Sequence, residues 1–185
     1  MKYCILILLF GASINATAQK SHSEILNMTK EIKIIDRLYL DLTNLEKKEI
    51  DEATAYKLFK RMYGNISSLP GDTKYYITGK ITSNPDFDLL FLYAEENKTD
   101  SITNFNLSLL TTRKDGSYIS LIDAASDNYY VHNNKPQFNK VRSYLYRDFK
   151  VKQENEVSSL GRKFEMEYKI NDYGVFVSYP NYTKN

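Results

Sequence analysis

Residues 84–125, NPDFDLLFLYAEENKTDSITNFNLSLLTTRKDGSYISLIDAA, carry the densest apolar patterning and the clearest turn chemistry in this 185-residue chain. In 88–94 both alternating sets are apolar, Leu89, Phe91 and Tyr93 on one side and Leu90, Leu92 and Ala94 on the other. A strand covered on both faces follows. Beyond the polar turn 95–100, Phe105, Leu107 and Leu109 alternate with Asn104, Asn106 and Ser108. Lys114-Asp115-Gly116 is a hairpin signal, because glycine tolerates the positive φ of a tight connection. A three-residue loop there sets Leu109 opposite Leu121 and Thr111 opposite Ile119, whereas a two-residue loop sets Leu109 against Ile122. The first register joins the longer apolar faces and is expected.

Toward the C-terminus, Ser126-Asp127-Asn128 reads as a polar break, leaving residues 129–132 at most a short strand before the turn Asn133-Asn134-Lys135-Pro136. Residues 141–151 form one bent strand or two broken near Arg147-Asp148. In 163–170 Phe164, Met166, Tyr168 and Ile170 alternate with charged residues, one dry face and one wet. Asn171-Asp172-Tyr173-Gly174 then turns the chain into a last strand at 175–179. On the N-terminal side, turn chemistry at 67–72 precedes a strand at 74–82.

Ser21-x-x-Glu24 has the form of a capping box. After it, Ile25, Met28, Ile32, Ile35, Tyr39 and Leu42 recur at three and four, which predicts a helix to about Arg37. Leu38, Leu40 and Leu42 alternate, so a strand start is the rival reading. Residues 44–51 are a charged connection. Asp51 is a good N-cap for a second helix, 52–63, with Glu52 in its first turn and Gly64 as its stop. The expected architecture is a single α+β domain: two N-terminal helices within about 21–64, then seven or eight antiparallel strands within about 74–180, in an open sheet or a small barrel with helical additions.

The first twenty residues, MKYCILILLFGASINATAQK, pair an early lysine with an apolar run from Tyr3 to Ala12 and the triplet Ala16-Thr17-Ala18. That is the pattern of a secretory signal peptide, residues 1–18, which leaves a mature chain of 19–185. The run is about half the roughly 20 residues a membrane-crossing helix needs. Cys4 is the only cysteine and lies inside the signal rather than at the cleavage point, so a lipid anchor, disulfides and thiolate chemistry are excluded from the expected mature chain. Without Lys2 the mature chain has 24 basic and 23 acidic residues, a net charge of +1. Such near-neutrality supplies no electrostatic reason for nucleic acid as a partner. Sixteen tyrosines and nine phenylalanines, against no tryptophan and four prolines, suit strands.

Catalytic motifs are absent. His132 is the one plausible general base, with Asp123, Asp127 and Ser120 near it in sequence, and His22 lies close to the expected mature N-terminus. Asp86 and Asp88 have an oxygen-ligand spacing but lack the glycine and distal glutamate of a calcium loop. No glycine-rich phosphate loop is present, and no cofactor is expected. The segment 135–152 has six cations, Lys135, Lys140, Arg142, Arg147, Lys150 and Lys152, against one acid, Asp148. On a straight strand Arg142, Tyr144, Tyr146, Lys150 and Lys152 share a face suited to an acidic macromolecule or an anionic glycan. A lysine-protected solvent edge accounts for the same residues.

The signal ending in Ala-Thr-Ala-Gln, the segment IDEATAYKLF, then LSLLTTRKDGSYISLID and a late YKINDYGVF together resemble small exported proteins of Bacteroidetes-type bacteria. The resemblance implies the periplasm or the cell exterior and supplies no catalytic residues. Asp100-Ser101-Ile102 is similar to the sites where such bacteria attach O-glycans. The expected function is an exported, non-enzymatic protein that binds another macromolecule, including as an inhibitor or immunity factor against a secreted toxin. The alternatives are a small-ligand or glycan carrier with tyrosine-lined strands, and a hydrolase built on His132.

Overall fold

In the computed structural model, which describes residues 20–43, 45–60, 67–96 and 102–179, the doubly apolar run lies inside β4 (Phe87–Glu96). Its N-terminal neighbours are β3 (Thr73–Ile81) and the two-residue β2 (Lys48–Glu49). On the other side follow β5 (Ile102–Arg113), β6 (Tyr118–His132), β7 (Lys135–Tyr146), β8 (Lys150–Val157), β9 (Arg162–Ile170) and β10 (Phe176–Tyr179). These nine strands pair in chain order as an antiparallel meander, and β1 (Arg37–Leu40) adds to β7, making ten. The two helices are short, α1 (His22–Asn27) and α2 (Glu52–Phe59).

The chain is therefore mostly β. It is not an α+β domain of two N-terminal helices followed by seven or eight strands, and the sheet does not close into a barrel, since its path ends at β10 and β2. Two misread segments account for the difference. The capping box forms as expected, with Ser21 Oγ accepting from Glu24 N and Glu24 reaching back to Ser21 N. The helix ends at Asn27 rather than near Arg37 because the next residues find backbone partners on the sheet. Lys80 N donates to Lys30 O at 3.0 Å and Ile32 N to Lys80 O at 2.8 Å. The chain then runs as an extended strap into β1. The charged connection at 44–51 contains β2, which pairs with Tyr76 and Ile77.

Asp51 caps α2, accepting from Thr54 N at 2.9 Å. Burial pushes the Asp51 carboxyl up, but hydrogen bonds from the Lys20 ammonium and from Thr54 outweigh it and bring the pKa down to about 2. The described helix stops at Phe59. The expected continuation to Tyr63 with Gly64 lies outside the described residues, as do the signal segment 1–18, most of the 95–100 turn, and Asp100 and Ser101 of the glycosylation tripeptide.

Both faces of β4 are buried, as the alternation predicts. Leu90, Leu92 and Ala94 pack with Ile25 of α1 and with Ala55, Leu58 and Phe59 of α2. Leu89, Phe91 and Tyr93 pack with Leu107 and Leu109 of β5, and with Leu40, Leu145, Val151 and Ile170. The strap covers this second cluster through Ile32, Ile34 and Leu38. Its approach depends on Gly79, where any Cβ would overlap the Ile32 side chain.

The hairpin after β5 has the expected three-residue loop, closed by Arg113 N to Ser117 O and Gly116 N to Arg113 O, both 2.8 Å, and Thr112 pairs with Tyr118. A bulge at Ile119 then shifts the register, so Leu109 faces Ile122 and not Leu121. Ile119 packs on the second cluster, while Ser120 accepts from Thr111 Oγ1 and from Phe176 N.

The polar break expected at 126–128 is instead continuous strand. β6 is 15 residues long, with Ser126, Asp127 and Asn128 paired on both sides. Asn133 and Asn134, both at positive φ, make its turn into β7. β7 leaves β6 after the pair Ser126–Val141, and β1 takes up the edge so exposed through Arg37–Tyr146 to Leu40–Ser143. Where the ladder opens, side chains replace it: Ser143 Oγ donates to Ala124 O and Gln153 Nε2 to Asp123 O. Both donors are buried. Residues 141–151 thus form two strands, separated by Arg147-Asp148-Phe149, with Phe149 at φ 62° and its ring 5.5 Å from that of Phe87.

Candidate functional site

Arg142, Tyr144 and Tyr146 stand at alternate positions of β7, and Tyr144 pairs directly with Lys152 of β8. The register gathers four of the five predicted residues on one face, and Lys150, at the even position two before Lys152, completes it. What the sequence did not reveal is the acid opposite Arg142, Lys140 and Lys152, whereas Lys150 faces Lys169. Arg142 faces Glu154, which faces Glu165; Lys140 faces Glu156, which faces Lys163; Lys152 faces Glu167. Lys150 Nζ lies 2.9 Å from Glu167, Lys152 Nζ 2.9 Å from Glu165, and an Arg142 amine 3.7 Å from Asp127. The hydrogen bond to Glu165 holds the Lys152 ammonium above the ordinary lysine range, against a weaker opposing effect of desolvation.

A groove of about 690 Å³ runs over this face, lined by Lys140, Arg142 and Lys163, by Glu154, Glu156 and Glu165, and by Asn155 and Phe164. β1 extends the aromatic side. Tyr39 packs against Tyr144 with ring centres 5.0 Å apart and the planes tilted by 39°, and the Arg37 guanidinium sits 5.0 Å over the same Tyr144 ring. Arg37 and Tyr39 were not among the expected site residues, because the helical reading of this segment hid them. The face is a mosaic of both signs, not a basic strip.

The other predicted residues do not converge. Asp123, Asp127 and His132 lie along the single strand β6, so Asp123 and His132 are about 30 Å apart at ~3.3 Å per residue. Asp123 accepts from Ser108 Oγ at 2.8 Å, and Ser120 accepts from Phe176 N. Asp86 lies on an exposed turn organised by Asn84, whose Oδ1 accepts from Asp86 N at 2.8 Å. Among the described residues no group of three or more His, Cys, Asp or Glu is placed to hold a metal ion.

Asp88 does something the sequence did not indicate. It is buried, its Oδ2 is 2.9 Å from His22 Nε2, and its Oδ1 is 2.6 Å from Lys114 Nζ. His22 is buried too, against Gly116, whose φ of 84° and missing Cβ make room for the imidazole. The trio ties α1 to the start of β4 and to the β5–β6 hairpin. Fastening the N-terminal segment accounts for the trio.

Comparison with protein-family models, with curated proteins and with solved structures finds no match. No helix among the described residues is long and apolar enough to cross a membrane.

Proposed function

We propose that the protein is an exported, non-enzymatic binding protein that holds a macromolecular partner on the β7–β9 face, in the cell envelope or outside the cell. The observation that carries this reading is the alternation of paired cations and acids around the groove, beside the Tyr39–Tyr144 ring pair. A strip of one sign would attract any polyanion. A two-sign pattern instead rewards a partner with the complementary pattern and repels shifted dockings, so it favours a folded protein over an anionic glycan. An inhibitor or immunity factor is the form of this function in which the partner is an enzyme. The small-ligand carrier gains little support, since Leu107 and Leu109 fill the interior where its cavity would lie.

A pull-down from a periplasmic extract tests the proposal. The expected result is one stoichiometric partner retained by the wild-type chain and lost when Arg142→Glu and Lys152→Glu reverse two charges of the mosaic. Equal capture by the folded double variant, or no stoichiometric partner at all, would overturn it.

A further inference from the structure

A second polar surface, built of carboxamides, lies across β4 to β8 and meets the charged mosaic at Asn155 and Phe164, which also line the mosaic groove. In one row Asn104 of β5 pairs with Asn128 of β6, which pairs with Asn139 of β7. In the next row Asn106 pairs with Ser126, Ser126 with Val141, Val141 with Asn155, and Asn155 with Phe164. Cross-strand partners share a face, so five asparagines from four adjacent strands stand together. Asn104 Nδ2 donates to Glu96, and Asn128 Nδ2 donates to Asn106 Oδ1 at 3.1 Å. A groove of about 300 Å³ opens over Thr73, Glu96, Asn104, Asn106 and Asn128.

The band is polar beyond what the sheet itself satisfies. Ser126 Oγ, Asn139 Oδ1 and Asn155 Nδ2 are buried with no hydrogen-bond partner, and all three belong to these two rows. An unmet buried polar atom is costly, but these three are shut off from solvent, so the groups that face a ligand are the carboxamides lining the groove, Asn104, Asn106 and Asn128. Aromatic rings flank the rows. Tyr130, paired with Ile102 one row beyond Asn128, is 42% exposed, and Phe164 at the far end is 41% exposed.

Carboxamides that donate and accept at once, next to exposed rings, match the alternating hydroxyls and C–H faces of a sugar. Neighbouring strands lie about 4.8 Å apart, so a row offers one polar head for roughly every pyranose of an extended chain laid across the strands. Among the groove residues named, Glu96 is the only charged one and is engaged by Asn104, so the groove presents no cation for an acidic sugar. We infer that this carboxamide band is a binding site for a neutral oligosaccharide chain. The residues of its groove, among them Asn104, Asn106 and Asn128, are not among those that line the mosaic groove.

The test titrates the full chain with cellohexaose, mannohexaose, xylohexaose and chitohexaose, read by calorimetry and by amide chemical shifts. The expected result is binding of at least one, with shifts centred on residues 104–106, 126–130 and 139. Asn104→Ala with Asn128→Ala should weaken it about tenfold or more, while Lys152→Glu, at a side chain paired with Glu165 and outside the groove, leaves it unchanged. If the asparagine variant does not fold, the wild-type shifts still decide. No binding of the four at millimolar concentration, shifts centred elsewhere, or binding lost only in Lys152→Glu would overturn the inference, and the last would assign recognition to the mosaic.

Discussion

Replacing Gly79 with valine is expected to lower the free energy of unfolding by about 2–3 kcal/mol, the upper part of the range for overpacking a filled site. Gly79 is buried in β3 at a register shift, and a Cβ there overlaps Ile32 at both Cγ1 and Cδ1. Ile32 cannot retreat freely, because its own N–H is bonded to Lys80 O and the neighbouring Lys30 O accepts from Lys80 N. The phenylalanine beneath, Phe91, is buried in the same cluster and leaves no space below. Chemical denaturation measures the effect. Gly79→Ala should fall between wild type and valine, and a valine variant as stable as wild type would mean that the strap does not lie on β3.

Asp88→Ala should cost about 2–3 kcal/mol. Removing one member of a buried charged group typically costs about 3–5 kcal/mol, because the others are left without a partner. Here Lys114 is 42% exposed and can return to water, which brings the expected loss just below that range. His22 is 8% exposed and stays behind, with an unmet nitrogen against the β5–β6 hairpin. Asp88→Asn keeps the shape and one acceptor and should cost less. Denaturation midpoints of the two variants check the order. Loss of protection against amide exchange should concentrate in α1, the segment that the trio fastens.

How much of this was legible in the chain divides along the range of the interactions. β3, β4 and β5, the three-residue loop at Lys114-Asp115-Gly116 and the Asp51 cap are written in neighbouring residues, and the sequence showed each of them. The helix expected through Arg37 failed because its stripe serves two elements. Ile25 packs with the helices, whereas Ile32 and Leu38 pack on the opposite face of the sheet. The bonds to Lys80 that end the helix come from about fifty residues away.

Ser126-Asp127-Asn128 read as a break because polar triplets are common in turns. Here four of their six strand partners are polar as well, Asn104 and Asn106 on one side and Asn139 and Lys140 on the other, beside Phe105 and Val141. The site divides in the same way. The alternation in 141–152 identified the residues of the mosaic, but its acids come from β8 and β9 and needed the register. The asparagines of β5 were visible as the polar half of an alternating strand. Their alignment with Asn128, Asn139 and Asn155 was not, since it depends on three successive hairpins.

The architecture turns on β1, the strand that replaces the expected end of the first helix and takes up the edge of β7 where β6 departs. Tyr39 and Tyr144 are paired across that junction. Cross-strand partners lie about 4.5–5.5 Å apart at Cα, a distance that a disulfide spans without strain. The expected mature chain has no cysteine of its own, so the double variant Tyr39→Cys, Tyr144→Cys would carry the only two thiols. Mild oxidation should give quantitative intramolecular cross-linking with the strand-rich circular dichroism of wild type retained. Two thiols that stay free in the folded protein would contradict the placement of β1, and with it the open ten-stranded sheet.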